Sequence, residues 1–156
     1  MLYQLCYRSR QAQEMDWPTL SSIIGVAQDR NLQDDISGLL LWSEPQFLQV
    51  LEGPRDSVSN CFMRIARDAR HSRIELLCMR AVASRLFPDW RMRAVRHMNL
   101  HAADRAHLLR KYGSLDGSED GPVAIPEDEN LALALLLDFM HLARGLPGGD
   151  EVSTPP

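Results

Sequence analysis

The sequence predicts a two-layer α/β sandwich in which two helices cover one face of a mixed sheet. Three observations lead there. Segments with a two-residue apolar period alternate with segments of helical period in the order β-α-β-β-α-β. A short polar break containing proline joins the two middle strands. Right-handed crossovers in the two β-α-β halves then place both helices on the same side.

The first strand runs from Leu2 to Ser9, with Tyr3, Leu5, Tyr7 and Ser9 on one face and Gln4, Cys6 and Arg8 on the other. Asp16-Trp17-Pro18 opens a helix, because a proline in the first turn gives up only an N–H that has no partner there. Leu20, Ile23, Ile24 and Ala27 form its apolar stripe, which stops near Arg30-Asn31. Ile36–Trp42 and Gln46–Glu52 make a hairpin across Ser43-Glu44-Pro45. Gly53-Pro54 opens a second helix, striped by Val58, Phe62, Ile65, Ala66 and Ala69 and expected to run to about His71. Strands at Ile74–Ala83 and Trp90–Val95 follow. This is a ferredoxin-like βαββαβ sandwich with an extra strand, ending near residue 97. Beyond it come C-terminal helices: a short one at His101–Tyr112, a Gly/Ser/Asp-rich connection from Gly113 to Ala124, and an apolar one at Leu131–Leu142 stopped by Gly145. The expected division is a domain over residues 2–97, a helical extension over 98–145 and a disordered tail over 146–156.

Composition narrows the function classes. With 156 residues, 45% hydrophobic and 24% charged, the chain has enough apolar material for one core, which excludes disorder throughout. A formal charge of −4 weighs against nucleic acid as a partner. All of the 17 basic residues except Lys111 are arginine, and many lie between Arg64 and Arg96, but no RNA-binding aromatic motif or helix-turn-helix accompanies them. They read as salt bridges and solvated surface. Cys6, Cys61 and Cys78 have neither disulfide-framework nor zinc spacing and suit a reducing compartment. The longest apolar run, Leu131–Leu137, is too short to span a bilayer, and the first ten residues lack a signal-peptide pattern. A cytoplasmic protein with no membrane partner is expected.

The informative residues are polar groups on faces that should be apolar. Both faces of Gln46–Glu52 are largely apolar, so this strand is central and Gln49 is a buried amide. An unpaired buried amide costs about 1–3 kcal/mol per missed bond, so a partner must exist. Tyr7 is a candidate, since a buried phenol also seeks one. Trp90 and Met92 are expected on one face of the last strand, with Arg91 and Arg93 on the other. Asn31 closes the first helix as a C-cap or as a carboxamide aimed at a ligand. A cavity ringed by Tyr, Gln, Asn, Trp and Met, without paired carboxylates, suits a flat heterocycle with a polar edge and is poorly equipped for hydrolysis. Taken singly these are ordinary residues: Gln49 a structural amide, Tyr7, Trp90 and Met92 core, Arg64 and Asp68 a solvated pair, His71 a favourable charge at a helix end.

Together they form a pattern. Cys6-Tyr7-Arg8-Ser9, Asn31, Ile36-Ser37-Gly38, the run Phe47-Leu48-Gln49-Val50-Leu51-Glu52-Gly53, Arg67 to Ser72, and Phe87-Pro88-Asp89-Trp90-Arg91-Met92 resemble the BLUF family of blue-light sensors using flavin, over roughly residues 2–97. The resemblance implies non-covalently bound FAD (FMN as the variant) with its ring between the two helices. It implies that Tyr7 donates an electron and a proton to the excited flavin, and that Gln49 bridges Tyr7 to the ring. It also implies that Asn31 bonds the ring's polar edge and that Trp90 and Met92 change environment in the light. Arg64 and Asp68 would lie near the ring and ribityl chain, with Ile23, Phe47 and Ile65 as apolar walls; Arg30 and His71 complete the cofactor-binding set. Arg30 stands where the family often has Asn or His. The implied product is a stand-alone photoreceptor without turnover, forming homo-oligomers and signalling to a separate effector protein, a cyclic-nucleotide enzyme or a transcriptional regulator. The apolar 131–142 helix either covers the second sheet face or also serves a dimer or partner. Two rivals remain: Arg8 and Asn31 on such a frame resemble the pair of small acylphosphatase hydrolases, although the glycine-rich phosphate loop is missing, and a cofactor-free ferredoxin-like module would share the fold alone.

Overall fold

A computed structural model of the protein describes residues 1–144. The expected element order is present: β1 (Leu2–Gln11), α1 (Trp17–Gln33), β2 (Ser37–Ser43), β3 (Gln46–Pro54), α2 (Arg55–Ala66), β4 (His71–Val82), β5 (Arg91–Arg96), a 3-10 turn at His97–Asn99, α3 (Ala102–Tyr112) and α4 (Glu129–Ala143). The five strands form one sheet in the order β4-β1-β3-β2-β5. β5 runs parallel to β2, and the other neighbours are antiparallel. The strand expected to be central is central, and β3 is buried from Gln46 through Gly53.

Alternation along the strands divides the interior into two cores. Leu5, Leu40, Phe47, Leu51 and Ala94 point to the face covered by α1 and α2, where Leu20, Ile24, Val58 and Cys61 meet them. Cys6, Leu39, Leu41, Leu48, Val50 and Val95 point the other way, onto Leu108 of α3 and Leu135, Leu136 and Phe139 of α4. The apolar 131–142 segment is thus explained by the second sheet face, which it covers. Asp128 starts α4 by accepting the backbone N–H groups of Asn130 and Leu131, both at 2.9 Å. Asp16 does the same for α1 through Thr19, at 2.8 Å. Among the described residues no helix is long and apolar enough to cross a membrane.

Three boundaries differ from expectation. α2 ends at Ala66 rather than near His71, because the Asp68 carboxylate takes the backbone N–H of Arg70 at 3.0 Å and turns the chain out of the helix. β4 consequently starts at His71 instead of Ile74. α1 continues to Gln33 and is closed by Asp34, so Asn31 lies within its last turn and is not a cap. The expected stop at Gly145 and the disordered tail lie outside the described residues.

Candidate functional site

The two helices do not close on the sheet along their whole length. Between them lies a cavity of about 270 Å³, close to the lower end of typical small-molecule sites. Leu20, Ile23, Ile24 and Ala27 from α1 form one wall, Cys61 and Ile65 from α2 the other, and Leu40, Phe47, Gln49 and Tyr7 the floor. Met15, Val26, Arg30, Asn31, Arg64, Asp68, Arg70 and His71 complete the lining. The structure therefore brings together at this cavity all of Tyr7, Ile23, Arg30, Asn31, Phe47, Gln49, Arg64, Ile65, Asp68 and His71.

The floor is built by strand register. Tyr7 and Gln49 are direct partners across β1 and β3, and both side chains project to the helix face. The Tyr7 hydroxyl donates to Gln49 Oε1. Gln49 Nε2 donates to Met92 Sδ at 3.0 Å. These two partners fix the amide's orientation: a thioether can only accept, so it must face the nitrogen, and the phenol then faces the oxygen. Burial pushes the Tyr7 phenol far above its usual range, with the Cys61 and Cys6 thiols and Asp68 adding to the effect, so the hydroxyl keeps its proton and remains a donor. Among the described residues only one of the two Gln49 amide hydrogens has an acceptor, which leaves a donor at the floor of an apolar slot.

Trp90 and Met92 do not share a face. Trp90 precedes β5, packs on Phe87 with ring centroids 6.1 Å apart, and belongs to the core under α3 and α4. Met92 belongs to the core under α1 and α2. The cause is a bulge. Gly38 pairs with Arg91 and Leu39 with Arg93, which leaves Met92 as an extra residue with φ of 121°, a region that non-glycine residues rarely enter. Three bonds hold it. Gly38 N–H donates to the Trp90 carbonyl at 2.7 Å, Asn31 Nδ2 to Arg91 O at 3.3 Å, and Gln28 Nε2 to Met92 O at 3.1 Å. Two amides of α1 thus grip consecutive carbonyls of the bulge. Gly38 is required by space, since a Cβ there would meet the Val50 carbonyl oxygen at 2.0 Å.

At the rim the expected Arg64–Asp68 pair is not made. Arg64 bonds Asp34 at 3.3 Å, while Arg70 grips Asp68 through a forked contact and holds its carboxyl below the usual carboxylate range. The early end of α2 explains the exchange, because Asp68 no longer lies one helical turn from Arg64. His71 Nε2 donates to the Ile65 carbonyl at 2.6 Å, since a carbonyl only accepts, and Nδ1 faces the Ser9 hydroxyl at 2.9 Å. His71 therefore braces the end of α2 against β1.

Several lining residues carried no functional signal in the sequence. Leu20, Ile24 and Ala27 were legible as an apolar stripe, but a stripe does not reveal whether it meets protein or an open slot. Cys61, Met15 and Val26 lay outside any recognised pattern, as did Gln28 beneath the bulge, and Arg70 fell within the Arg67–Ser72 run without a role of its own. Arg8 and Asn31 face opposite sides of the sheet. Arg8 donates to Ile125 O at 3.0 Å and pairs with Glu75 at 3.0 Å and Glu127 at 3.3 Å, away from the cavity. Arg8 and Asn31 therefore form no hydrolase-like pair.

An apolar slot with a tyrosine–glutamine floor is what the resemblance requires, and comparison decides the matter. A family model described as "BLUF: Sensors of blue-light using FAD" matches residues 2–93. The chain belongs to the BLUF family. Among BLUF-containing relatives, the photoactivated adenylate cyclase subunit beta of Euglena gracilis is 38% identical over 90 residues, 57% of this chain and 10% of the relative. The blue light- and temperature-regulated antirepressor BluF of Escherichia coli K12 is 38% identical over 86 residues, 54% of this chain and 21% of the relative. This chain therefore spans only a small part of either. The dark-state structure of the BLUF protein BlrB matches over 92% of this chain and 96% of that one, with a TM-score of 0.67 at 28% identity. The chain thus belongs with a family described as flavin-using sensors of blue light, and neither the hydrolase nor the cofactor-free reading has support.

Proposed function

We propose that this BLUF chain is a photoreceptor in which light resets the hydrogen bonds of Gln49, and that Tyr7, Gln49 and Met92 are the residues that switch. The observation that carries the reading is the chain of bonds from the Tyr7 hydroxyl through Gln49 to Met92 Sδ on the cavity floor. FAD, the cofactor in the family's description, fits the residues present. Ile23, Phe47 and Ile65 would hold its ring, Asn31 and the spare Gln49 hydrogen would meet its polar edge, and Arg64, Asp68 and His71 would lie along the chain that leaves the ring. When bound, the flavin supplies blue-light absorption and a strongly oxidising excited state.

The protein's part is to hold protons in place and let them move. In the present arrangement Tyr7 donates to Gln49 Oε1 and the amide nitrogen faces sulfur. Turning or tautomerising the amide puts a different donor and acceptor at each end. A turned amide would aim its oxygen at Met92 Sδ, two acceptors face to face, so the bulge must respond. Trp90 lies two residues before Met92 on the other side of the sheet and shares that bulge, which supports a role for it through the backbone and not at the cavity. Residues 2–97 would act as the sensor and 98–145 as the surface through which it is read. A separate effector, a cyclic-nucleotide enzyme or a transcriptional regulator, is supported by the cyclase and antirepressor relatives. No turnover by this chain is required, and its self-association into an oligomer belongs to the same proposal.

The test is spectral. Protein purified in dim light should be yellow, and its absorption should move reversibly to longer wavelength under blue light. Tyr7→Phe should keep the flavin and lose that shift; a normal photocycle in this variant would remove Tyr7 from the switch.

A further inference from the structure

The charges around the cavity are unequally matched. Of the three arginines that line it, Arg64 is paired with Asp34 and Arg70 with Asp68. Arg30 has no carboxylate within ion-pairing distance among the described residues. Asp34 lies one turn further along α1, but its carboxylate is engaged by Arg64 at 3.3 Å. The uncompensated positive charge of the rim is therefore on Arg30.

Its position adds to this. Asn31 is 3% exposed, aims its amide at the Arg91 carbonyl beneath the bulge, and so marks the inner end of the slot. Arg30, the preceding residue of α1, is turned about 100° around the helix axis and is exposed at the mouth. For a heterocycle seated against Tyr7, Gln49 and Asn31, Arg30 is then the exposed cation beside the ring's polar edge, on the same lining that carries Arg64 and Asp68. We propose that Arg30 receives the phosphate ester of the flavin nucleotide, so that the protein selects phosphorylated flavins over riboflavin. This rests on the flavin-binding reading above and adds to it the group that recognises the anionic tail. A guanidinium suits the task, since its planar fork matches two phosphate oxygens. Because Arg30 is exposed, the contact is open to screening by salt.

The experiment titrates flavin-free protein with riboflavin, FMN and FAD, following quenching of flavin fluorescence at low and at high salt. Arg30→Gln is compared with Arg110→Gln, an exposed arginine of α3 far from the cavity. The wild type and the Arg110 variant should bind FMN and FAD about tenfold more tightly than riboflavin at low salt, a charge-assisted bond at an exposed site. In Arg30→Gln, or in high salt, that preference should fall below about threefold while riboflavin affinity stays unchanged. An unchanged preference in Arg30→Gln overturns the assignment. So does an equal loss of riboflavin binding, which would place Arg30 on the ring instead of the tail. Failure of all three flavins to bind the wild type would overturn the flavin reading itself, an outcome distinct from either.

Discussion

The two faces of the sheet are made from alternate residues of the same strands, yet they are finished differently. On the α3/α4 face the chain supplies its own cover, and Leu135, Leu136 and Phe139 are completely buried against Leu39, Leu41 and Leu48. On the α1/α2 face the helices stand apart around a cavity, and an amide, a phenol and a thioether bond one another on its floor. A stably packed face and a face left open for a ligand can share one sheet because alternation keeps their side chains apart. The stability of such a chain should therefore reside mainly on one side and its function on the other.

That division can be broken most forcefully from the closed side. Phe139→Ala should cost about 3–5 kcal/mol in urea denaturation, because the side chain is fully buried. Ile23→Ala, on the half-buried wall of the cavity, should cost less than about 1.5 kcal/mol and mainly weaken flavin retention. Equal losses would show that the cavity wall is core after all.

The next effect is one of pH. His97 is 1% exposed, lies against Phe139 with ring centroids 6.0 Å apart, and neither ring nitrogen has a hydrogen-bond partner among the described residues. Burial, and then the nearby Arg105 guanidinium, lower its pKa from 6.5 to about 4, against a smaller opposing pull from Asp120. Between these values the unfolded chain takes up a proton that the folded chain refuses. Stability should be independent of His97 above pH 6.5, fall as pH drops below it, and be about 3 kcal/mol lower once pH reaches 4. His97→Leu should abolish that part of the slope in denaturation curves taken across the range. An identical slope in the variant would mean that the ring finds a proton acceptor when folded.

The smallest effect belongs to the open side. Met92→Leu keeps volume and apolar character, so folding stability should change by less than about 1.5 kcal/mol. It removes the acceptor that fixes the Gln49 amide, a bond on the order of 1 kcal/mol, and dark recovery after illumination should change roughly fivefold. Recovery at the wild-type rate would show that the sulfur does not set the amide's orientation.

Much of this arrangement was legible in the sequence because it follows from period and register. Alternation in β1 and β3 placed Tyr7 and Gln49 on buried faces, and the demand of a buried amide for a partner correctly joined them. The second sheet face and its cover followed from the apolar circumference of Leu131–Leu142. What escaped was irregular. Reading Trp90 and Met92 as neighbours on one face assumed an unbroken two-residue period, and one extra residue at Met92 reverses every face assignment before it. That bulge depends on Gly38 in β2 and on Gln28 and Asn31 in α1, residues distant in sequence that no local pattern connects to it. The end of α2 escaped for a related reason, since Asp68 competes with the helix through its side chain while the apolar stripe continues to Ala69.

The bonds of Arg8 and Arg93 have a consequence for how the molecule can be read from outside. Arg8 follows Tyr7 directly and holds the Ile125 carbonyl at 3.0 Å; Arg93 follows Met92 directly and holds the Ala143 carbonyl at 2.8 Å. Each half of the proposed switch is thus one peptide unit away from an anchor on the far layer, at the approach to α4 and at its last turn. A messenger has no distance to travel laterally: a sub-ångström lurch of β1 would tug on the approach to that helix, and one of β5 on its last turn.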